Sequence, residues 1–351
     1  MTDLDSHPES RIRNSQPAGI GRVVDLGDIC AWNNLGRNVV FASRAFEPCA
    51  VFDQTQFPDD DEPSQYDLDV HAILDVPSAG VVVVLNHLGN LRAFRRSDID
   101  KVSGIVRVDP AWTRTFAADV ERVVVSEDRL VGSRPREERA GGVLVSEPVT
   151  ATGEHSPLDA HVELETWGMI TALGTAPVDS RECVAIGGNG RVALAPIDDG
   201  RIGRPRWDVG VDFEPAGFAW DGWLLWVVGP ELGAAGIDDY DWEKLRGGGF
   251  AALDPADGRA VVPGRFAHDP AWGNGGSAVV IAAGLVCGVG RTGELDVYDA
   301  EDGQLRARTV PCADDSLGIA HAAVVGDHIL YGFNRGGYRL HTVALSTLAA
   351  G

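Results

Sequence analysis

The sequence predicts an all-β fold, a seven-bladed β-propeller of four-stranded antiparallel blades, on three observations. Short runs rich in Val, Ile, Leu and Phe alternate with clusters of Gly, Asp and Asn, and apolar residues almost nowhere recur at helical spacing. One strand-turn-strand unit repeats along the chain, and a repeat of this kind decides the architecture before any single element does. Glycine is the third: 43 of 351 residues is well above the usual ~7%, so the chain turns often.

The clearest copies are GRVALAPIDDGR at 190–201, GGFAALDPADGR at 248–259 and GELDVYDAEDGQ at 293–304. In each a Gly opens a strand and an Asp-Gly pair closes it, at Gly200, Gly258 and Gly303. Asp-Gly suits a tight hairpin because Gly adopts φ > 0 at no steric cost and Asp tolerates the left-handed region. The first interval is longer than the second, which places an insertion between the first two copies. Weaker copies follow the strand VVVVLN, from Gly89, and the strand HILYGF, from Gly337.

Read in order, each unit is an innermost strand, a second strand, a short turn, a third strand, a hairpin and a fourth strand. A degenerate first unit is expected around 38–54. Innermost strands follow near 70–76, 120–125, 168–173, 216–220, 277–282 and 319–325, which makes seven units. Their spacing of about 40–50 residues is that of a four-stranded propeller blade. The innermost stretches AHAAVV, SAVVIA, PAGFAW and GMITALG carry the small residues that strands crowded around an axis need. Trp220, Trp223 and Trp226 have the bulk to fill the widening gap between blades. Residues 1–18 are expected to be a flexible segment, and 19–351 a single propeller with an insertion at 229–247.

These stretches, and the blade rhythm from about residue 30 to 348, resemble the broad propeller group that includes quinoprotein-like, YVTN-type and WD40-like repeats. The resemblance implies architecture and no particular activity. In quinoprotein-type repeats a docking Trp commonly follows the turn. Here Trp207 follows Gly200 at a distance, while GRAVVPGRF and GQLRARTV have none. The adjacent-cysteine pair of quinone-bearing enzymes is absent, so no pyrroloquinoline cofactor is implied, and no other cofactor is expected. No Trp-Asp dipeptide is expected at the end of a strand.

Composition removes several function classes. The chain carries 30 Lys and Arg against 52 Asp and Glu, a formal charge of −22, which repels nucleic-acid phosphate unless a basic stripe is hidden in it, and none is visible. The opening MTDLDSHPESRIRN has no apolar core of a signal peptide. The longest apolar runs, near 80–85 and 224–228, fall far short of the ~20 residues that span a bilayer. A cytoplasmic protein with no membrane partner is expected. Cys30, Cys49, Cys183, Cys287 and Cys312 are odd in number and scattered, with no CxxC pair, and read as structural thiols. No nucleophile elbow, zinc-protease motif or phosphate-binding loop occurs, and 187–191 reads as a hairpin turn. The carboxylates Asp238, Asp239, Asp241 and Glu243 lack the spacing of a calcium loop, and the run at 59–62 reads as a self-repelling acidic loop, so no metal site is expected.

Function is expected on the top face, where second-to-third strand connections and blade-to-blade links emerge together. The former offer Asn86, His87, Asn189, Arg291, Asn334 and Arg335, with Tyr338 beside them. One connection, 229–247, is far longer than the rest, and long loops in compact domains are often functional. Its stretch 237–246 suits a short helix bearing Asp238, Asp241 and Trp242, with acids first and Lys and Arg last. His71, His321 and Asn274, near Trp272, fall at the starts of innermost strands, where each His either faces a ligand or bonds a neighbouring blade's backbone. Two readings follow. One is a non-catalytic binding or assembly module that uses the top face and the insertion to hold a small ligand or a protein partner with a basic contact surface. The alternative is a hydrolase or lyase for a small anionic substrate, with His71, His321, Asn274 and Arg335 in the central channel and a divalent metal as an option. Whether the chain is an enzyme at all stays open at this stage.

Overall fold

Consecutive strands pair antiparallel into seven sheets, and the seven sheets close a ring, so the chain is a seven-bladed β-propeller. The computed structural model describes residues 20–34, 38–53, 70–86, 89–99, 106–116, 120, 122–135, 142–154, 160–164, 169–230, 232, 248–265, 272–273, 276–277, 279–289, 295–309, 320–333 and 340–349. The blades' first strands are Ile20–Asp25, Val70–Val76, Arg122–Ser126, Ala172–Val178, Gly217–Trp220, Val279–Ala282 and Ala320–Val325. Each lies against the first strand of the next blade, and the last lies against the first. Blades 1–6 are built on four strands, blade 4 carrying the short Arg201–Ile202 in addition, and blade 7 shows three among the described residues. One extra strand crosses a boundary: Val106–Arg107, inside the connection to blade 2's outer strand, pairs in parallel with Pro48–Asp53 of blade 1.

The apolar residues gather into seven clusters, one at each blade-to-blade junction. Phe41, Phe52 and Phe94 pack in the junction between blades 1 and 2. Trp226, Phe250 and Tyr298 pack between blades 5 and 6, and Val23, Trp32, Val325 and Leu330 between blades 1 and 7. Because each blade is covered on both faces, its inner strands need no polar side. Hence Val81–Asn86, VVVVLN, is buried at every position. Burial lifts the Cys30 and Cys287 thiols to about 12, and both serve as packing groups.

Repeated turns join one blade to the next. The Trp207 indole donates to the Pro255 carbonyl at 2.8 Å and covers Gly258, where a Cβ would fall 2.7 Å from its ring. Trp112 packs in the same way two junctions earlier: it covers Gly153, leaving a Cβ 2.6 Å of room. Both tryptophans begin an outer strand, and both glycines have positive φ, 74° and 75°. Docking tryptophans are therefore present in blades 2 and 4, at a longer spacing than the sequence pattern anticipates.

Four expectations need correction. Blade 1 begins at Ile20, well before 38, because its first two strands, IGRVVD and ICAWNN, mix polar with apolar residues and give no repeat signal. The innermost strand placed at 168–173 begins at Ala172, since Thr171 is held in the preceding link. Trp223 does not fill a gap between blades: it sits in a turn and is 83% exposed. Finally, the dipeptide Trp220-Asp221 does close a strand, the first of blade 5.

Candidate functional site

First strands enter the ring from the top, so second-to-third connections and blade-to-blade links share that face, while first-to-second and third-to-fourth turns share the bottom. Near the axis lies a cavity of about 170 Å³ bounded by the first strands of blades 1–4 and by Ala216 of the link into blade 5, with His71 and Arg122 as its polar lining and Ile73 and Leu173 among the apolar. This is about half the lower end of the ~300–1,000 Å³ usual for organic ligands. His71 is 5% exposed and has partners in the fold. Among the described residues no group of three or more His, Cys, Asp or Glu is placed to hold a metal.

Of the other expected site residues, Asn86 is a turn-former. Its side-chain oxygen accepts the Asn90 amide at 2.8 Å, which bridges the second-to-third connection of blade 2 from a buried position. Asn189 and Gly190 both have positive φ, 52° and 67°, and form the two-residue hairpin turn that 187–191 predicts. Trp272 and His321 lie on described strands. The small hairpin of Trp272–Gly273 and Gly276–Ser277 rests against the first strand of blade 7, the strand that carries His321. His71 and His321 are thus on strands separated by the first strand of blade 1. His87, Asp238, Asp241, Trp242, Asn274, Arg291, Asn334, Arg335 and Tyr338 lie outside the described residues, as do the helix expected at 237–246, the acidic run at 59–62 and Cys312.

Beside the cavity lies a buried polar network that no sequence motif announces. Glu214, in the link between blades 4 and 5, accepts the Asn189 amide through Oε1 at 2.7 Å. The Thr171 hydroxyl lies 3.1 Å from the same oxygen and 2.5 Å from the Pro215 carbonyl, and its single proton serves one of them at a time. Arg122 of blade 3 donates to the Thr171 carbonyl at 2.7 Å. Glu214 and Thr171 are buried, so these bonds replace water that the groups lost on folding. Blade 5 presses on the same link: a Cβ on Gly229 would fall 1.6 Å from the Glu214 carbonyl oxygen. Three scattered polar residues and a glycine carry no spacing signature, which is why motif reading passes over them.

The long connection departs from this spot. The second strand of blade 5 runs to Pro230 and the third starts at Gly248, so seventeen residues, 231–247, separate them. The same connection in the other six blades takes two to six residues. Leu232 extends over the blade 4 turn, its side chain 2.7 Å from where a Gly190 Cβ would stand. Beside it, a groove of about 430 Å³ runs between Gly210–Phe213 of blade 4 and Phe250 and Pro263 of blade 5.

No protein-family model matches the sequence, and no curated protein does. Solved structures do match over nearly the whole chain. The β-propeller domain of Cps50 (Swd1) from Myceliophteria thermophila aligns with a TM-score of 0.63 at 11% identity, covering 95% of this chain and 98% of that one. The computationally designed protein Ika8 aligns at 0.53 and 11% identity, covering 93% and 97%. BamB from Moraxella catarrhalis aligns at 0.50 and 13% identity, covering 94% and 91%. At these identities the likeness is one of fold. Among the described residues no helix is long and apolar enough to cross a membrane.

Proposed function

We propose that this chain is a cytoplasmic binding or assembly module, one propeller over 19–351, that holds a protein partner on its top face through the 231–247 connection. The inequality of the top connections carries the reading: seventeen residues in one blade against two to six in the others, rooted on a braced junction. A scaffold that varies one loop on a fixed ring is a common way to make a recognition site. The run Asp238, Asp239, Asp241 and Glu243 gives this arm an acidic character, so the partner's contact surface is basic. The cavity volume favours this reading over the channel enzyme, because about 170 Å³ admits a few waters or a small ion and little more.

Deleting 232–245 tests the reading. The strands of blade 5 lie outside that stretch, so the expected change in unfolding free energy is within about 1 kcal/mol. In affinity purification from the source cells, a partner retained by the full chain is lost by the deletion variant. Equal recovery of that partner by both proteins would reject the assignment.

A further inference from the structure

Trp223 is the most exposed large apolar side chain described, at 83%, and the turn that presents it is braced. It stands in Asp221-Gly222-Trp223-Leu224, between the first and second strands of blade 5, on the bottom face. One oxygen of Asp221 accepts the amides of Trp223 and Leu224, each at 2.8 Å, and the other accepts the Trp226 indole N–H at 2.7 Å. Trp226 is itself 2% exposed and packs on Phe250. Gly222 has φ 104°, a conformation that L side chains rarely adopt. The backbone under the exposed indole is therefore fixed to the core between blades 5 and 6. A side chain of this size normally buries 150–250 Å² or so, and holding its backbone rigid lowers the entropy lost when a partner covers it.

The surroundings select the partner. Turns on the same face of blades 4–6 present the exposed carboxylates Asp198, Asp199, Asp257, Glu301 and Asp302. Of the arginines there, Arg206 pairs with Asp179 and Arg306 with Asp299, while exposed Arg201, Arg204 and Arg259 offset the five carboxylates only in part. An indole face attracts Lys and Arg cations, most strongly of the aromatic side chains. With a whole-chain charge of −22, long-range attraction has the same sign.

We propose that Trp223 is the anchor of a second interaction surface, on the bottom face, for a basic segment of a partner protein whose Arg or Lys side chain lies across the indole. The surface is separate from the top-face reading and does not depend on it. The probe is a short fluorescein-labelled peptide of alternating Arg and Gly, titrated into the full chain and followed by polarisation, with a Glu-Gly peptide as control. Saturable binding of the Arg peptide is expected, weakened about five- to tenfold by Trp223→Ala, partly kept by Trp223→Phe, and unchanged by deletion of 232–245. Trp223 packs against little, so the Ala variant unfolds at the same denaturant concentration as the parent, which separates lost binding from lost fold. Equal affinity of the Trp223→Ala variant, or equal binding of the Glu-Gly peptide, overturns the proposal. So does self-association of the parent chain that Trp223→Ala abolishes while peptide affinity stays the same, because the indole would then be buried by a second copy.

Discussion

The two faces of the ring are built from the same strands and differ in almost every other respect. On the bottom, all seven first-to-second turns take two to four residues, and each contains a residue with positive φ, from Gly27 in blade 1 to Gly326 in blade 7. These turns also tie neighbours together. The Ser78 hydroxyl donates to the Glu127 carbonyl at 3.2 Å, and Arg96 of blade 2 reaches the Leu26 carbonyl of blade 1 at 2.5 Å. On the top, connections range from two residues to seventeen, and a buried polar network braces the Glu214 junction below the longest. The difference teaches that one end of each strand pair is committed to holding the ring, which leaves the other end free to vary.

That comparison breaks most visibly at Trp207. Trp207→Ala removes a bottom-turn dock and its bond to Pro255, and a loss of about 3–5 kcal/mol is expected, read as a lower urea midpoint. A loss below about 1 kcal/mol would mean the bottom turns do not hold the blades. Glu214→Ala is the top-face counterpart. It removes the acceptor of the Asn189 amide and one of the acceptors open to the buried Thr171 hydroxyl, for an expected loss of about 1–3 kcal/mol by the same assay. A larger loss than that of Trp207→Ala would reverse the ranking of the faces.

The smallest effect concerns acid. Desolvation pushes the Asp221 carboxyl up, but the N–H groups of Leu224, Trp226 and Trp223 outweigh it and hold it below the usual carboxylate value. A depressed folded-state pKa gives stability that is full above the unfolded value and lost as pH falls through the folded one. The Trp223 turn should therefore be protected from amide exchange at about pH 5 and loosen below about pH 4. Protection factors for Trp223 and Leu224 that stay constant through the pH at which the Asp221 carboxyl itself titrates would show that the carboxylate does not brace the turn.

Much of the ring was legible in the sequence because blades are local. The hairpins at Gly200, Gly258 and Gly303, and six of the seven innermost strands, come from residues close together in the chain. What escaped is what passes between blades. The bond from Trp207 to Pro255 spans 48 positions, and no short pattern announces it. Trp223 was misplaced for a different reason: WLLW looks like continuous strand, and only the Asp221 carboxylate bonding forward shows that the chain is still turning. Among the expected site residues His71 does line the axial cavity, whereas Asn86 proves to shape a turn. The Glu214 junction was invisible because its members are chosen by burial, which the linear sequence does not display.

The strand Val106–Arg107 makes the ring's seams unequal. Between blades 1 and 2 it adds backbone hydrogen bonds across the joint, while blades 7 and 1, among the described residues, meet through side chains alone. Apolar contacts slide and separate gradually, whereas a hydrogen-bonded ladder under shear resists until several bonds break together. Pulled or heated, the ring is expected to hold longest at this one riveted joint and to part first at a seam without such a ladder.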